Sequence, residues 1–213
     1  PGCECIVASE AAFYQGNVEE AERHSYRAIY KAQDADQHDI VCNAWDVLIW
    51  IALYHGNYEQ AMGHSEDLTR YVKHVSRSDI DELRDCIVST VYIHLRDIDR
   101  VSPWITDSHF TSVSKDSIDV GRKQAVHAYY RLTLGQYAQG EAVLAQFETM
   151  FSQKGFWALK MNHYLCLAYC RLAAGDRDGA VRCFWRAYSS TWKNNIVMPF
   201  VQWGNDLISL LDL

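Results

Sequence analysis

The sequence predicts an all-α protein, a right-handed superhelix of about five helical hairpins followed by a C-terminal capping helix. Three observations predict this fold. A short phrase, a turn followed by an alanine, returns at intervals of about 40 residues. The segments on both sides of each turn carry apolar side chains at i, i+3 and i+4, which is the spacing of one helix face. No segment shows the sustained period-two alternation, bounded by hairpin turns, that a sheet requires.

The repeated phrase is complete at four places. Its turn glycines are Gly16, Gly56, Gly135 and Gly175, so the intervals are 40, 79 and 40 residues. Because 79 is almost twice 40, we expect a degenerate copy near residue 96, where Arg96 occupies the glycine position. The predicted units form one domain with repeats at residues 1–36, 37–76, 77–115, 116–154 and 155–195, and a cap at residues 198–213.

Each turn has the chemistry of a junction between two helices. Glycine just after a helix adopts the left-handed conformation at little steric cost, and a following Asn or Asp can cap the next helix. The pairs Gly56-Asn57 and Gly175-Asp176 therefore predict tight turns. Five residues after each glycine stands a small residue that permits close helix crossing: Ala21, Ala61, Gly140 and Ala180. These are tetratricopeptide-like hairpins, with a period longer than the roughly 34 residues usual for that repeat.

The remaining segments complete the predicted architecture. Residues 74–81 and 106–119 have turn composition and predict loops. Pro199 begins an amphipathic segment that predicts the capping helix, through Phe200, Trp203, Leu207, Leu210 and Leu211. Five further residues are assigned to the core: Trp45, Leu48, Tyr92, Leu167 and Phe184.

Composition excludes several classes of protein. The 213 residues are 49% hydrophobic, which is enough for a self-supporting core. The longest apolar run, residues 47–54, has eight residues where a membrane span needs about 20. A net charge of −7 without a basic cluster argues against direct contact with nucleic acid. Seven irregularly spaced cysteines suit reduced thiols, so we expect a cytoplasmic protein. Without an initiator Met or a secretory signal, the chain is expected to be a piece of a longer protein.

Motifs for catalysis and cofactor binding are absent from the sequence. It has no phosphate-binding loop, zincin motif or nucleophile elbow, and we therefore expect no enzymatic activity, no cofactor and no metal. The pattern that most resembles a metal site is His163, Cys166 and Cys170, at helical spacing. Two interpretations stand, a zinc site and buried small side chains, and the second is favoured because free cysteine is usually buried.

The repeat register predicts a ligand-binding surface. Stacked hairpins of this type expose a concave face lined by their first helices. The position six residues before each turn glycine looks into that groove and is aromatic in three repeats. An aromatic ladder flanked by polar side chains suits stacking on an apolar ring with hydrogen bonds at its edge. The candidate ligand-binding residues are Asn43, Asp46, Trp50, Tyr54, Arg122, Tyr129, Asn162 and Tyr169. The alternative is that these aromatic residues belong to the core.

A family resemblance accompanies the repeats. The repeat phrases, the segment RVSPWI and the terminal pattern of Phe200, Gly204, Leu207, Leu210 and Leu211 resemble the sensor region of large LuxR-type, MalT-like transcriptional regulators. In that family the region lies between an ATP-binding module and a DNA-binding helix-turn-helix. This chain has neither module. The resemblance implies inducer binding and self-association, and it carries over no ligand contact.

Two functional hypotheses follow. The first is a non-catalytic effector-sensing and interaction domain of a bacterial regulator, which binds a small-molecule inducer or a partner protein on its concave face. The second is a tetratricopeptide-type scaffold that binds a peptide segment of another protein.

Overall fold

A computed structural model describes residues 2–107, 118–146, 148 and 157–212. In these ranges the chain is helical and has no strand, which confirms the predicted all-α class. Two 3-10 helices span Ile98–Arg100 and Trp192–Asn194. The α-helices are α1 (Cys3–Tyr14), α2 (Val18–Gln33), α3 (His38–Tyr54), α4 (Tyr58–Val75), α5 (Ser78–His94), α6 (Pro103–Thr106), α7 (Ile118–Thr133), α8 (Tyr137–Ala145), α9 (Trp157–Ala173), α10 (Arg177–Ser189), α11 (Met198–Gln202) and α12 (Asn205–Leu211). Within the described ranges, no helix is both long and apolar enough to cross a bilayer.

The chain forms two compact units. The first comprises residues 1–88 and 196–198, and the second comprises residues 89–195 and 199–213. In the first unit α1 packs on α2, α2 on α3 and α3 on α4, and α1 also contacts α3. In the second unit α7, α8, α9 and α10 pack in the same consecutive way, and α12 packs on α9 and α10. Each unit is therefore built from neighbouring helical hairpins, which is compatible with an α-solenoid.

The turn glycines adopt the predicted conformation. Gly16, Gly56, Gly135 and Gly175 all have positive φ, between +70° and +83°. Arg96, in the degenerate repeat, has a φ of +61° and follows the same backbone path with a full side chain. The predicted caps also form at two turns. The side chain of Asn57 accepts a hydrogen bond from the backbone N–H of Gln60, and that of Asp176 accepts one from Gly179.

The small residues after the turns lie where helices pack closely. Ala21, Ala61 and Ala180 are fully buried. A Cβ atom built on Gly140 would lie 2.6 Å from Cδ1 of Leu132, well inside the normal contact distance. Only small side chains fit at these positions without repacking.

The loop predicted at residues 74–81 is wrong. Helix α4 continues to Val75 and α5 begins at Ser78, so two residues connect them. Ser76 makes the turn with a φ of +54°. The polar composition of this segment has a different cause: Asp79 and Asp81 lie in the first turn of α5, where negative charge favours the positive end of the helix dipole. Of the second predicted loop, residues 108–117 lie outside the described residues.

The C-terminal cap also differs from the prediction. It is two short helices, α11 and α12, because the chain turns between them at Gly204, whose φ is +52°. Trp203 and Leu210 are buried, whereas Leu211 is exposed. Of the predicted core residues, Leu48 and Leu167 are buried and Trp45, Tyr92 and Phe184 are half-buried.

Candidate ligand site

Four of the predicted ligand-binding residues lie in the first unit, on one face of α3. Asn43, Asp46 and Trp50 are half-buried, and Tyr54, the last residue of the helix, is exposed. The indole of Trp50 packs against the apolar cluster that includes Phe13. One side of Trp50 therefore belongs to the core of the first unit, which agrees in part with the alternative interpretation.

In the second unit, two of the predicted ligand-binding residues pack against the same tryptophan. Tyr129 on α7 and Tyr169 on α9 both contact the indole of Trp203, which directly follows α11. The ring centroids are 5.4 Å and 6.2 Å apart, within the range of favourable tilted aromatic pairs. Tyr129 and Trp203 are buried, whereas Tyr169 is half-buried and forms the accessible part of the cluster.

Arg122 and Asn162 precede these tyrosines on the same two helices. Each lies seven residues before its tyrosine, on the same helix face and about 10 Å along the axis. Both side chains are half-buried. They extend the predicted surface along α7 and α9, and they lie two turns away from the aromatic cluster.

An ion pair borders the aromatic cluster. Nη2 of Arg96 donates to both carboxylate oxygens of Asp206 on α12, at 2.9 Å and 2.8 Å. The hydroxyl of Tyr129 donates to Oδ2 of Asp206 at 3.4 Å, a long hydrogen bond. The side chain of Arg96 is 49% exposed and that of Asp206 is 22% exposed. The polar edge of the cluster is therefore open to solvent on the arginine side.

The other titratable groups of the cluster are neutral at pH 7. The His94 ring lies 4.5 Å from the Tyr129 ring, and its Nδ1 donates to the carbonyl of Thr90. Burial, with a smaller contribution from nearby Arg96, lowers the pKa of His94 to about 4. Burial, and then the charge of Asp206, raises the pKa of Tyr129 far above its usual value. In this cluster the charges at neutral pH are those of Arg96 and Asp206.

This arrangement has a definite binding chemistry. The half-buried ring of Tyr169 offers an apolar surface for a ring, and the exposed guanidinium of Arg96 can donate hydrogen bonds to a carboxylate, phosphate or hydroxyl group. An anionic group bound to Arg96 would compete with Asp206. We call this group of residues, Arg96, Tyr129, Tyr169, Trp203 and Asp206, the aromatic–ion-pair site.

The predicted metal pattern lies on α9 as buried side chains. His163, Cys166 and Cys170 are all buried. Burial raises the pKa of the Cys170 thiol to about 12 and that of Cys166 well above its usual value, so both remain thiols at neutral pH. Across the residues that the structure describes, no group of three or more His, Cys, Asp or Glu side chains is placed to hold a metal ion.

Three of the five residues of this site are not among the predicted ligand-binding residues. The sequence places Trp203 in the cap and Arg96 in a degenerate turn, and it indicates no role for Asp206. The unusual residue at the glycine position was a signal for Arg96. Nothing local in the sequence links position 96 to position 206, because their contact depends on the packing of α12 on α9 and α10.

No protein-family model, curated protein or solved structure matches this chain.

Proposed function

We propose that this chain is a non-catalytic effector-sensing and protein-interaction domain, built as a right-handed superhelix of tetratricopeptide-like hairpins. The observation that carries the proposal is the aromatic–ion-pair site. Tyr129 and Tyr169, both predicted from the repeat register, contact Trp203 there, beside a partly exposed ion pair. The terminal pattern from Phe200 to Leu211 supports a place in a LuxR-type, MalT-like regulator, with the inducer as the signal.

The site favours a ligand with a ring and a polar or anionic edge. The ring would pack on Tyr169, since Tyr129 and Trp203 are buried. Its hydroxyl, carboxylate or phosphate group would bind the guanidinium of Arg96. Sugars, nucleotides and aromatic amino acids all have this combination, and each exchanges solvent contact for a stacked face and a charge-assisted hydrogen bond.

Thermal unfolding in the presence of oligosaccharides, nucleotides and amino acids tests the proposal. A ligand at about 100 times its Kd stabilises the folded state by about 2.7 kcal/mol, which is readily detected as a rise in Tm. We expect Tyr169→Ala and Arg96→Ala to remove that rise. Tyr30→Ala is the matched control, since Tyr30 is an exposed tyrosine of the first unit.

The proposal fails in two distinguishable ways. Stabilisation that persists in both site variants would place the ligand elsewhere. A panel in which no compound raises the Tm would contradict small-molecule sensing and leave the scaffold hypothesis. The scaffold hypothesis has an observation in its favour, the exposed aromatic side chains of α10, and calorimetric titration with peptides and with sugars separates the two.

A further inference from the structure

Helix α10 presents large aromatic side chains to solvent. Trp185 is 58% exposed, Trp192, just beyond the helix, is 53% exposed, and Tyr188 is also exposed. The opposite side of the helix is packed through Ala180, Cys183 and Ala187. Soluble proteins seldom expose several large aromatic side chains on one continuous surface unless that surface binds a partner.

The exposed rings are held in place by their neighbours. Trp185 and Tyr188 form an edge-to-face pair with centroids 5.5 Å apart, and Tyr188 also contacts Phe200. The buried hydroxyl of Thr191 donates to the carbonyl of Tyr188 at 2.9 Å, which fixes the chain where α10 ends. Rings that are already ordered lose little conformational freedom when they bind a partner.

The segment that carries these rings has a net positive charge. Residues 177–195 contain four basic residues and one acidic residue, in a chain whose net charge is −7. Arg182 and Lys193 are exposed, and Nζ of Lys193 lies 5.8 Å from the Trp192 ring centroid. Arg186 contributes less to this positive charge because it forms an ion pair with Glu148 at 3.3 Å. We define the α10 face as Arg182, Trp185, Tyr188, Trp192 and Lys193.

We propose that the α10 face binds an acidic, amphipathic segment of a partner protein. Apolar side chains of that segment would pack on Trp185 and Tyr188, and its carboxylates would pair with Arg182 and Lys193. The inference specifies the interaction part of the proposed function. It does not depend on the aromatic–ion-pair site, because the α10 face shares no residue with it.

Charge selects this occupant over two others. A second copy bound symmetrically would bring the same cationic face against itself, since an isologous contact repeats one patch on both subunits. A nucleic acid strand needs a basic groove that follows its backbone over several nucleotides. The α10 face has one cation on α10 and one just beyond its end, in an acidic chain, which suits a short acidic segment.

Fluorescence anisotropy with the full chain tests the proposal. The probe is a labelled peptide of about 16 residues, roughly four helical turns, with Leu and Phe at i, i+3 and i+4 and Glu elsewhere. We expect binding that weakens as NaCl rises from about 50 to about 500 mM. We expect Trp185→Ala, and separately the double variant Arg182→Glu with Lys193→Glu, to weaken binding about tenfold or more.

Matched controls separate the face from general effects. Val7→Ser removes a side chain on α1 that is 60% exposed, comparable to Trp185. Lys73→Glu changes the charge of an exposed lysine in the first unit. Both controls should bind the peptide as the parent chain does. Far-ultraviolet circular dichroism verifies that every variant is folded.

Several results would overturn the inference. The Glu peptide could fail to bind, or a peptide with Lys in place of Glu could bind equally well. The variants of the α10 face could bind the Glu peptide as tightly as the parent chain does, or oligo(dT) could bind more tightly than the peptide. Concentration-dependent dimers that Trp185→Ala abolishes would assign the face to a second copy and reject the proposed partner. Tyr169→Ala should leave peptide binding intact, so failure here and failure of small-molecule sensing are distinguishable.

Discussion

At the scale of single residues, Arg96 combines a left-handed backbone conformation with a side chain that forms an ion pair. The four glycines at equivalent turns adopt this conformation freely, whereas a side chain there costs about 1 kcal/mol or more. The ion pair with Asp206 offsets part of that cost. Because both groups are partly exposed, the pair contributes no more than about 1 kcal/mol.

Two substitutions separate these contributions. Arg96→Ala removes the ion pair and keeps the strain, so the free energy of unfolding should fall by about 1 kcal/mol. Arg96→Gly removes both, and stability should stay within about 1 kcal/mol of the parent. Urea denaturation measures the difference. An alanine variant as stable as the glycine variant would contradict the strain at this turn.

His163 couples stability to pH. Burial lowers its pKa to about 4, while in the unfolded chain its pKa lies near the usual histidine value of 6.5. Between these values the unfolded state binds more protons, so the stability present at neutral pH is lost as pH falls from 6.5 to 4. The loss is at most about 3 kcal/mol.

Replacing this imidazole should flatten the pH profile. His163→Met removes the titration, and we expect a smaller loss of stability between pH 6.5 and 4 than in the parent, measured by urea denaturation at a series of pH values. His74→Gln, at an exposed position, is the control and should follow the parent curve. If the free energy of unfolding fell equally with pH in the parent and both variants, His163 would not be a buried neutral imidazole.

At the scale of elements, hairpin packing depends on the size of one residue after each turn. Ala61 on α4 is fully buried, while two residues later a Cβ atom on Gly63 would meet no atom within 4 Å. The same helix therefore provides a test site and its control. Ala61→Leu would overfill the helix crossing, whereas Gly63→Ala adds helix propensity without a clash.

We expect opposite effects from these two substitutions. Ala61→Leu should lower the free energy of unfolding by about 1 to 3 kcal/mol. Gly63→Ala should raise it by about 0.5 to 1 kcal/mol. Thermal and urea unfolding measure both. A stabilising Ala61→Leu would mean that the helices do not cross closely at this position.

The elements could be predicted where the chemistry is local. Gly56 and Asn57 specify a turn and a cap without help from the rest of the chain, and both formed as expected. The predicted elements were wrong where one local sequence pattern is compatible with two structures. The charges after Val75 indicate a loop as readily as a helix start, and Gly204 interrupts a segment whose apolar spacing reads as one helix.

Only two of the five residues of the candidate site could be predicted, for a different reason. Repeat register places Tyr129 and Tyr169 on equivalent faces of two helices, because register is a property of each hairpin. The positions of Trp203 and Asp206 follow from the way in which a non-repeated terminal segment packs. That packing depends on tertiary contacts, which no repeating pattern in the sequence indicates.

At the scale of the whole molecule, the C-terminal segment contributes to both units. Met198 is buried in the apolar cluster of the first unit, where the backbone N–H of Val197 also donates to the carbonyl of Tyr14. Trp203, five residues later, is buried in the second unit. Each unit therefore needs residues that come late in the chain.

Point substitutions in this segment should affect one unit each. Met198→Ala should destabilise the first unit by about 2 to 5 kcal/mol, and Trp203→Ala the second by about 3 to 5 kcal/mol. Hydrogen exchange resolved by peptide measures both. Faster exchange is expected in α1 and α3 for the first variant and in α7 and α9 for the second. Faster exchange in the other unit for either variant would contradict the assignment of Met198 to the first unit and Trp203 to the second.

The Arg96–Asp206 pair also has a consequence for the order of folding. Its partners lie 110 residues apart in the chain. Closing a flexible loop of that length costs about 4 kcal/mol of chain entropy, several times what a solvent-exposed pair contributes. The pair therefore forms only after helix packing has brought its ends together. It is a late contact, and local opening of the terminal helix would break it while the hairpins remain folded.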